Sequence, residues 1–351
     1  MTLNFGIIGL GAIARFHGKA INSVDGAKLS AVFSKNSAKA KSFSNEFGGT
    51  PYINLSHFLE HKDLDAVSIC TPSGAHLEPC LASARAGKHI VCEKPLEINP
   101  ERIDKIIQAC EISKVTLSGI FPRRFNACTQ ELKNAIEGKR FGKITMADAY
   151  IKWWRSQDYY NSGEWRGTWD LDGGGALMNQ SIHTIDLLSY FMGPIRSVRA
   201  ETRLLAHDSI EVEDTAVALL EFESGALGII QGSTGSWSKV GHPAEIQITG
   251  THGSVFMTDD RFRVWEFVNE TPFDNQIRRK FMFKPDEPGA GAADPLAINY
   301  QWHARNYEDI VQAINNDRKP RIDGKEARRA VALICAIYKS AGLGGQKVEV
   351  F

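Results

Sequence analysis

The stretch that decides the fold is "FGIIGLGAIARFHGKAI", which runs from Phe5 to Ile21. It begins as an apolar run of strand length and passes through a G-x-G-x-x-A pattern at Gly9, Gly11 and Ala14. Apolar residues then recur at the helical period. The pattern alone is weak, but a strand before it and a helix after it make it informative. The sequence therefore predicts a strand, a tight glycine turn and a helix.

The residues that follow continue this alternation. Strand-like runs "KLSAVFS", "DAVSIC", "KHIVCE" and "VTLSGI" are separated by helical stretches such as "GAHLEPCLASARAG" and "PERIDKIIQACEISK". Strands that alternate with helices favour a doubly wound parallel sheet of the Rossmann type, in the α/β class. The alternation ends near Ile120, so we expect a first domain over residues 1–121.

The glycine turn indicates a bound dinucleotide. Gly9 permits the tight turn, Gly11 lets a pyrophosphate approach the main chain, and Ala14 keeps the helix close to the sheet. The helix N-terminus then faces the phosphates. We therefore include Ala12 and Ile13, which open the helix, in the predicted cofactor site. A plain strand–turn–helix with glycines for packing is the alternative.

The second strand bears on which dinucleotide is bound. An acidic residue that binds the ribose of NAD is expected about 20 residues after the motif. Ser34 and Lys35 occupy this region instead. A hydroxyl and an ammonium group can bind a 2′-phosphate, so the sequence favours NADP over NAD. The alternative is that Lys35 is a solvated loop lysine.

A different pattern covers residues 122–351. After one helix, strand-like runs follow one another with few helices between them, from "GKITMADAYIKWW" to "RFRVWEFV". This pattern predicts an α+β domain with a large open mixed or antiparallel sheet. The segment at 283–298 is rich in Gly, Pro and Ala and is expected to be a surface loop. Two helices and a short strand close the chain, and these helices are expected to pack back on the Rossmann domain.

Composition excludes several classes of partner. Lys plus Arg and Asp plus Glu both number 41, so the formal net charge is zero, which gives no support for nucleic acid or a membrane surface as partner. The six cysteines show no paired framework, which favours a reducing, cytoplasmic location. The histidines of the sequence show no spacing typical of metal ligands, so no metal site is predicted.

A polar stripe marks the segment "DGGGALMNQSIHTIDLLSYFMGP" from Asp172 to Pro194. Asn179, His183 and Asp186 fall at i, i+4 and i+7 among apolar residues, so they share one helix face. A polar stripe on a buried helix requires partners. We expect the three glycines to let the start of the helix lie close to a ligand.

Three motifs in this order resemble the Gfo/Idh/MocA family of oxidoreductases, named after glucose–fructose oxidoreductase and inositol dehydrogenase. They are the glycine turn, "CEKP" with Glu93 and Lys94, and the G-G-G…H-x-x-D segment. The resemblance covers essentially the whole chain. It implies an NAD(P)-binding Rossmann domain and a C-terminal sheet that forms a homodimer or homotetramer interface. The segment "SICTPSGAH" strengthens the resemblance and adds Thr71, Pro72 and His76 as expected cofactor contacts. The "CEKP" motif contributes two more, Glu93 and Lys94.

The resemblance also implies roles for single residues. Lys94 touches the nicotinamide ribose and the reacting hydroxyl, and His183 is the general acid/base. Many members carry aspartate where this chain has Asn179, which can position a hydroxyl but cannot accept a proton. The segment "MNQSIH" is similar to a branch that includes nucleotide-sugar 3-dehydrogenases.

These roles agree with the chemistry of the residue types. Oxidation of a secondary alcohol needs a base for the hydroxyl proton, and histidine titrates near neutral pH. A nearby lysine, Lys94, stabilises the developing alkoxide. Asp186, one turn from His183, is expected to orient it or to make a structural contact. The alternative for His183 is a satisfied core histidine.

An aromatic segment, "KWWRSQDYYNSGEWRGTWDLD", precedes the glycines. Flat aromatic faces stack on sugar rings and polar groups bind hydroxyls, so we expect substrate contacts from Trp154 and Tyr159. Core packing is the alternative for any one tryptophan. The resemblance to the family implies that the W-R-G-T-W motif contacts the cofactor. We therefore expect cofactor contacts from Trp165 and Arg166. In "FPRRF", Arg123 is expected at the cofactor and Arg124 at the substrate, with an ion pair as the alternative role.

The sequence thus predicts an NAD(P)-dependent oxidoreductase that transfers hydride between nicotinamide and a secondary alcohol or ketone. The expected substrate is a sugar, a nucleotide-sugar or a cyclic polyol, with Lys94 and His183 as the catalytic pair. One alternative is a redox-neutral glycoside-cleaving or epimerising enzyme with tightly bound NAD. Another is a non-catalytic sugar-sensing protein, which the presence of both catalytic residues disfavours.

Overall fold

The computed structural model describes residues 1–284 and 300–351, which form two units. The first contains Met1–Pro122 and the described residues from 300 to 331. The second contains the described residues from 123 to 284 together with Ala332–Phe351. The expected surface loop at 283–298 lies almost entirely outside the described residues.

The described strands fall into two sheets. In chain order they are β1 (Leu3–Ile8), β2 (Ala27–Phe33), β3 (Thr50–Tyr52), β4 (Ala66–Ile69), β5 (His89–Cys92), β6 (Leu117–Gly119), β7 (Ile144–Lys152), β8 (Ile195–Arg203), β9 (Thr215–Phe222), β10 (Leu227–Ser233), β11 (Glu245–Gly250), β12 (Gly253–Thr258), β13 (Arg261–Phe267) and β14 (Val348–Glu349).

The described α-helices surround these sheets in the chain order α1 (Ala12–Ser23), α2 (Ser37–Phe47), α3 (Leu55–Leu59), α4 (Leu77–Arg85), α5 (Pro100–Ser113), α6 (Ala127–Glu137), α7 (Gln157–Asn161), α8 (Ile182–Met192), α9 (Pro272–Phe281), α10 (Tyr300–Asn315) and α11 (Gly324–Gly342). A π-helical turn, Ala176–Ser181, leads directly into α8. None of the described helices is both long enough and apolar enough to cross a membrane.

The first unit confirms the predicted parallel sheet. Its six strands have the order β3-β2-β1-β4-β5-β6, and each adjacent pair is parallel. All four residues of β4 are buried, as expected for a strand that is covered on both faces. The order reverses between β1 and β4, and folds of this kind bind ligands at such a reversal. Strand β3 was not predicted, because three residues with a central proline are too short to show a period.

The apolar core of the first unit joins the sheet to α1 and α10. Phe5 and Ile7 of β1 are fully buried, as are Ile21 of α1 and Tyr307 of α10. The Tyr307 ring meets Phe5 edge to face at a centroid distance of 5.4 Å. Helix α10 is therefore a part of the nucleotide-binding unit, although about 180 residues separate it from β6 in the sequence.

The second unit confirms the predicted mixed sheet. Its eight strands have the order β13-β12-β11-β7-β10-β9-β8-β14. Strands β7 and β10 pair in parallel, while the other adjacent pairs are antiparallel. In β9 the residues alternate regularly, with Ala216, Ala218 and Leu220 buried and Val217 and Leu219 exposed. One face of this sheet is therefore packed and the other is open.

A buried carboxylate anchors α9, a helix that the sequence prediction missed. Asp274 is fully buried and accepts hydrogen bonds from Trp265 Nε1 at 2.7 Å and from Thr271 N at 2.7 Å. Both terminal nitrogens of Arg140 also donate to it, at 2.7 and 2.8 Å. The signal was present, because Thr271, Pro272 and Asp274 form a capping box with proline in the first turn.

We predict that Asp274→Asn destabilises the protein by about 3 kcal/mol at neutral pH, because it leaves a partly buried guanidinium without its charged partner. Burial alone would raise the pKa of Asp274, but the hydrogen bonds from Arg140, Thr271 and Trp265 hold it well below its usual range. This contribution is therefore present above the unfolded pKa of about 3.9 and is lost as the pH falls below it.

Urea unfolding monitored at neutral and acidic pH measures this difference. Glu270→Gln is the matched control, because Glu270 forms an exposed ion pair with Arg278 and its loss should cost less than about 1 kcal/mol. Equal effects of the two substitutions at neutral pH would contradict the role of Asp274.

Candidate functional site

The sequence-predicted cofactor residues of the first unit lie at one edge of its sheet. Gly9 follows β1, Ser34 follows β2, Thr71 closely follows β4, and Lys94 closely follows β5. Because these strands are parallel and adjacent, their carboxyl ends meet at the same edge. The structure thus brings together residues that are spread over about 85 positions of the sequence.

The glycine turn is tightly packed on one side and open on the other. Gly9 has φ +87°, and a Cβ there would lie 2.8 Å from the main chain of Cys70 and Thr71. A Cβ at Gly11 would meet nothing within 4 Å. Gly9 is therefore required by the protein's own packing, while Gly11 leaves space that a pyrophosphate can occupy. Ala14 is fully buried, as its predicted packing role requires.

The N-terminus of α1 differs from those of its neighbours. Four helices begin with an asparagine whose side chain accepts a main-chain N–H, namely α2, α3, α5 and α6. At α1 the same position is Gly11, which has no side chain to cap the helix. The first amide groups of α1, from Ala12 and Ile13 onward, are thus free of a side-chain cap and can donate to an anion.

Ser34 and Lys35 occupy the turn between β2 and α2. Ser34 is half-buried, and its Oγ accepts the N–H of Asn36 at 3.2 Å, while Lys35 is exposed. Asn36 in turn caps α2. No acidic residue stands in this turn, which matches the pattern on which the NADP prediction rests.

Two of the predicted cofactor residues instead hold the protein's own loops. His76 is buried, and its ring nitrogens lie 2.8 Å from the carbonyl oxygen of Thr71 and 3.0 Å from that of Pro95. Glu93 is also buried, and its carboxylate is bonded to His17 and to the N–H of Lys94. Their geometry does not support the cofactor contacts predicted for them, because both side chains point into interior partners. Pro72 opens the short 3₁₀ turn Ser73–Ala75, and Lys94 is half-buried.

In the second unit, the predicted polar stripe is only partly exposed. Between Ala176 and Ser189 every residue is buried except Asn179 and His183, which are half-buried. A π-helical turn spans the first of them and changes to α-helix before the second. Such turns are frequent at functional sites. The two side chains most accessible on this segment are therefore the two that the sequence singles out for chemistry.

Asp186, the third member of the stripe, forms a buried ion pair. It is buried, and its two carboxylate oxygens accept from Nε and Nη2 of Arg124 at 2.8 and 2.7 Å. The Arg124 guanidinium also stacks over Tyr190 at 4.7 Å. A bidentate pair of this kind is a structural contact. This ion pair is the alternative that the sequence left open for Arg124 and for Asp186, while a substrate contact of Arg124 and the orientation of His183 by Asp186 stay predictions.

Two of the three glycines before the helix are packed closely against the protein itself. A Cβ at Gly174 would collide with the Tyr338 hydroxyl, and one at Gly175 would collide with the main-chain oxygen of Glu213. Gly173 and Gly174 both have positive φ. Gly174 and Gly175 thus let the turn pack tightly against other parts of the second unit, and the closeness of the helix start to a ligand stays a prediction.

Asn179 is held in a hydrogen-bond network. Its Nδ2 donates to Asp172, and its Oδ1 accepts from Gln180 Nε2 at 2.7 Å. Gln180 and Arg166 both donate to the Tyr159 hydroxyl, at 2.7 and 2.6 Å. The network fixes the amide of Asn179. It also places a carboxylate, that of Asp172, directly beside Asn179.

The aromatic segment contributes cations packed on rings. The Arg166 guanidinium lies 4.3 Å from the Tyr159 ring and 4.6 Å from the Trp165 ring. Trp154 is half-buried beside His207, with a centroid distance of 6.0 Å. Arg123 is half-buried, and its charge lowers the pKa of Asp260, which burial raises to about 6. These residues remain accessible in their own unit, as ligand contacts require.

Comparison with known proteins identifies the family. Residues 3–121 match the oxidoreductase family with an NAD-binding Rossmann fold, and residues 129–256 match the GFO/IDH/MocA C-terminal domain. The chain belongs to the Gfo/Idh/MocA family of oxidoreductases. It is therefore an NAD-binding oxidoreductase of the type that includes sugar, nucleotide-sugar and polyol dehydrogenases.

Three relatives illustrate the range of this family. The WlbA dehydrogenase from Bordetella pertussis, in a crystal structure with NADH and UDP-GlcNAcA, is 32% identical, with a TM-score of 0.89 over 100% of this chain and 98% of that one. The myo-inositol 2-dehydrogenase of Thermotoga maritima is 27% identical over 96% of both chains. The 2,7-anhydro-N-acetylneuraminate hydratase of Escherichia coli is 26% identical over 90% of this chain and 91% of its own.

The structure of this Gfo/Idh/MocA oxidoreductase adds a residue that sequence reasoning missed. Glu213 is buried and accepts N–H bonds from Gly175 and Leu177 at 2.9 and 2.8 Å, at the start of the segment that carries Asn179 and His183. Tyr338 donates to it at 3.0 Å. The sequence "EVEDTAV" around Glu213 contains three acidic residues, and only the fold shows which of them caps this turn.

We predict that Glu213 makes the protein less stable as the pH rises. Burial raises the pKa of Glu213 from 4.5 to about 7, against the effect of its N–H donors. Between these values the unfolded chain releases the proton while the folded chain retains it, so stability falls with rising pH. Glu213→Gln removes this titration, and the free-energy difference between variant and wild type should change by about 3 kcal/mol across the interval.

Urea unfolding at several pH values across this interval measures the effect. The control is Glu223→Gln, because Glu223 is exposed and forms a surface ion pair with Arg196. Parallel pH profiles for the wild type and Glu213→Gln would contradict the assignment.

Proposed function

We propose that this enzyme oxidises a secondary hydroxyl of a nucleotide-linked sugar acid and transfers the hydride to a nicotinamide cofactor. One observation carries this proposal: the full-length similarity to a dehydrogenase whose crystal contains NADH and UDP-GlcNAcA. That similarity, at 32% identity, is higher than the 27% of the inositol dehydrogenase, and it extends over both units. The similarity of "MNQSIH" to nucleotide-sugar dehydrogenases points to the same substrate class.

The first unit fits a dinucleotide. The open side of Gly11 and the uncapped amide groups of α1 provide donors for a pyrophosphate. When bound, the nicotinamide ring supplies the hydride acceptor. Thr71, Pro72 and Lys94 lie at the same strand edge and would border the nucleotide.

Two residues of the enzyme carry the chemistry in this proposal. The hydroxyl proton must leave as the hydride departs from carbon, and His183 accepts it as the general base. The Lys94 ammonium stabilises the negative charge that develops on the oxygen. Asn179, fixed by Asp172 and Gln180, positions a substrate hydroxyl through its amide.

The aromatic segment supplies substrate selection. Trp154 and Tyr159 offer faces for a sugar ring, and Trp165 is available to the sugar or the nicotinamide. Arg166 makes no ion pair with a carboxylate among the described residues, and its hydrogen bond is to the neutral Tyr159 hydroxyl. A cation of this kind suits an anionic substrate, so Arg166 supports a sugar acid over a neutral polyol.

The cofactor preference is a separate part of the proposal. Ser34 and Lys35 favour a 2′-phosphate and hence NADP, whereas the WlbA structure contains NADH. The redox-neutral alternative is also supported by one relative, because the Escherichia coli protein is named a hydratase. Both questions are answered by the same assay.

We predict that the purified enzyme reduces added NAD⁺ or NADP⁺ in the presence of UDP-GlcNAcA, and does so more slowly with myo-inositol. Lys94→Met and His183→Gln should each lower kcat by about a hundredfold or more, with the Kd for NADH changed by less than about threefold. Absorbance of reduced nicotinamide measures turnover, and protein fluorescence measures NADH binding.

The control for the lysine substitution is Lys152→Met, because Lys152 is exposed on β7 and has no role in the proposed site. Lys35→Ala tests the cofactor preference and should weaken NADP binding without affecting NAD. Nicotinamide that copurifies and is never released, with turnover of a sugar but no net reduction, would replace this proposal by the redox-neutral one.

We further propose that the open face of the second sheet forms a homodimer. Four large apolar side chains of β7, β9 and β10 are about half exposed on it, namely Met146, Val217, Leu219 and Leu227. These three strands are adjacent, so the residues share one surface. An apolar surface on a sheet face is typical of an interaction site, and a second copy of the chain provides a matching surface.

We predict that Leu219→Glu converts the dimer into a monomer, because it places a charge in the centre of this apolar surface. Light scattering coupled to size-exclusion chromatography measures the mass. Val268→Glu is the control, since Val268 is 70% exposed at the end of β13 and outside the patch. A monomeric wild type, or an unchanged mass for Leu219→Glu, would contradict the proposal.

A further inference from the structure

A chain of buried side chains leads to the residue before Lys94. The hydroxyls of Ser68 and Tyr307 are hydrogen-bonded, and the Tyr307 hydroxyl lies 2.6 Å from Nδ1 of His17. Nε2 of His17 lies 2.7 Å from Oε1 of Glu93, and Oε2 of Glu93 accepts the N–H of Lys94 at 2.9 Å. All of these groups belong to the first unit.

The hydrogen bonds that link these buried side chains can run in only one donor-to-acceptor direction. Ser68, His17 and Tyr307 are fully buried and Glu93 is 5% exposed, so each donor needs an acceptor within the protein. An ionised Glu93 accepts at both oxygens, which requires the proton of His17 to be on Nε2. Nδ1 then accepts from Tyr307, whose oxygen accepts from Ser68. Every group is satisfied in this one arrangement.

The electrostatics of the groups agree with it. Burial lowers the pKa of His17, so its ring is neutral near neutral pH. Burial alone would raise the pKa of Glu93, but the hydrogen bond from His17 and the nearby ring of His303 hold it well below its usual range. Burial raises the pKa of Tyr307. The hydrogen-bonded series from Ser68 to Glu93 therefore contains one negative charge, which lies on the Glu93 carboxylate next to Lys94.

Other groups surround this carboxylate. His303 of α10 approaches Oε1 with its Nε2 at 3.7 Å. The titratable groups that face Glu93 are His17 from α1, His303 and Tyr307 from α10, Cys70 after β4, Cys92 of β5 and the adjacent Lys94. Burial raises the pKa of both thiols well above its usual range, so they stay uncharged.

A metal ion is a poorer interpretation of this cluster. His17, Glu93 and His303 offer ligand atoms that lie within 4.8 Å of one another. The ligands of a tetrahedral zinc ion, each about 2 Å from the metal, lie about 3.3 Å apart. The 2.7 Å between His17 and Glu93 is instead the length of a charge-assisted hydrogen bond.

We propose that His17 is a positioning residue for Lys94, and that it acts through the Glu93 carboxylate. The proposal rests on the proposed function for the part that Lys94 plays in the reaction. His17 lies on α1, the helix whose N-terminus follows the glycine turn. One side chain therefore connects the helix that receives the cofactor to the main chain of the catalytic lysine, and Tyr307 holds its ring in the required tautomer.

Two substitutions at His17 separate positioning from simple packing. His17→Leu removes the donor to Glu93 and keeps an apolar side chain in the space. His17→Gln retains an N–H donor that can reach the same carboxylate. The control is His89→Gln in the same unit, where a half-buried histidine accepts the N–H of Thr116 at 2.9 Å and does not contact the chain of Glu93.

We expect His17→Leu to lower kcat by about tenfold or more, since a hydrogen bond to a charged group is lost, while the Kd for NADH changes by less than about threefold. The acid limb of the kcat/KM pH profile should move to higher pH, because Glu93 remains buried and loses a donor. His17→Gln should recover most of both effects, and His89→Gln should show neither. Equal losses in the Leu and Gln variants without a shifted profile, or a Leu variant within about twofold of the wild type, would overturn the proposal.

Acid unfolding provides a measurement that does not require a substrate. A depressed Glu93 pKa stabilises the fold above the ordinary pKa of glutamate, and this stability is lost as the pH falls. His17→Leu should therefore unfold at a higher pH than the wild type or His89→Gln, with His17→Gln between them. An unchanged acid profile for His17→Leu overturns the proposal. Absence of any sugar oxidation by the wild type would overturn only the proposed function.

Discussion

Burying a carboxylate is costly unless donors surround it, and this constraint organises both units. Glu93, Glu213 and Asp274 are each at most 5% exposed, and each accepts hydrogen bonds from more than one element. Glu93 joins α1 to the residue after β5, Glu213 closes the turn before α8, and Asp274 fixes the start of α9. Each carboxylate thereby determines where a neighbouring loop runs. The loops at Glu93 and Glu213 lead to the residues that we assign to catalysis.

Hydrogen bonding at the helix N-termini distinguishes α1 from four other helices. The protein caps α2, α3, α5 and α6 with asparagine side chains, whereas α1 begins at Gly11 without one. A helix end without a side-chain cap leaves amide donors for an anion. His17 of α1, two turns further on, turns inward to Glu93. Helix α1 thus presents its N-terminus to the predicted cofactor site and its buried face to the loop that contains Glu93 and Lys94.

In the second unit, packing leaves very little of the segment from Ala176 to Ser189 accessible. Buried side chains cover the π-helical turn and α8, and the glycines before them are packed against Glu213 and Tyr338. Asn179 and His183 are the half-buried exceptions between Ala176 and Ser189. Close packing of this kind restricts the conformations that the two side chains can adopt.

The sequence alone determined the parallel sheet, the mixed sheet, the glycine turn and the choice of Lys94, Asn179 and His183 as candidates, because periodicity and motif spacing are local properties of the chain. It could not decide the roles of Glu93, His76, Arg124 and Asp186. For all four it predicted ligand contacts or chemistry, and for Arg124 and Asp186 it also left a structural contact open. Their partners lie at distant positions, as with Glu93 and His17, which are 76 residues apart, or Arg124 and Asp186, which are 62 apart. Nor could it find Glu213. Whether a charged side chain binds a ligand or pairs with another residue depends on which groups lie near it. Only the tertiary structure determines which groups are near.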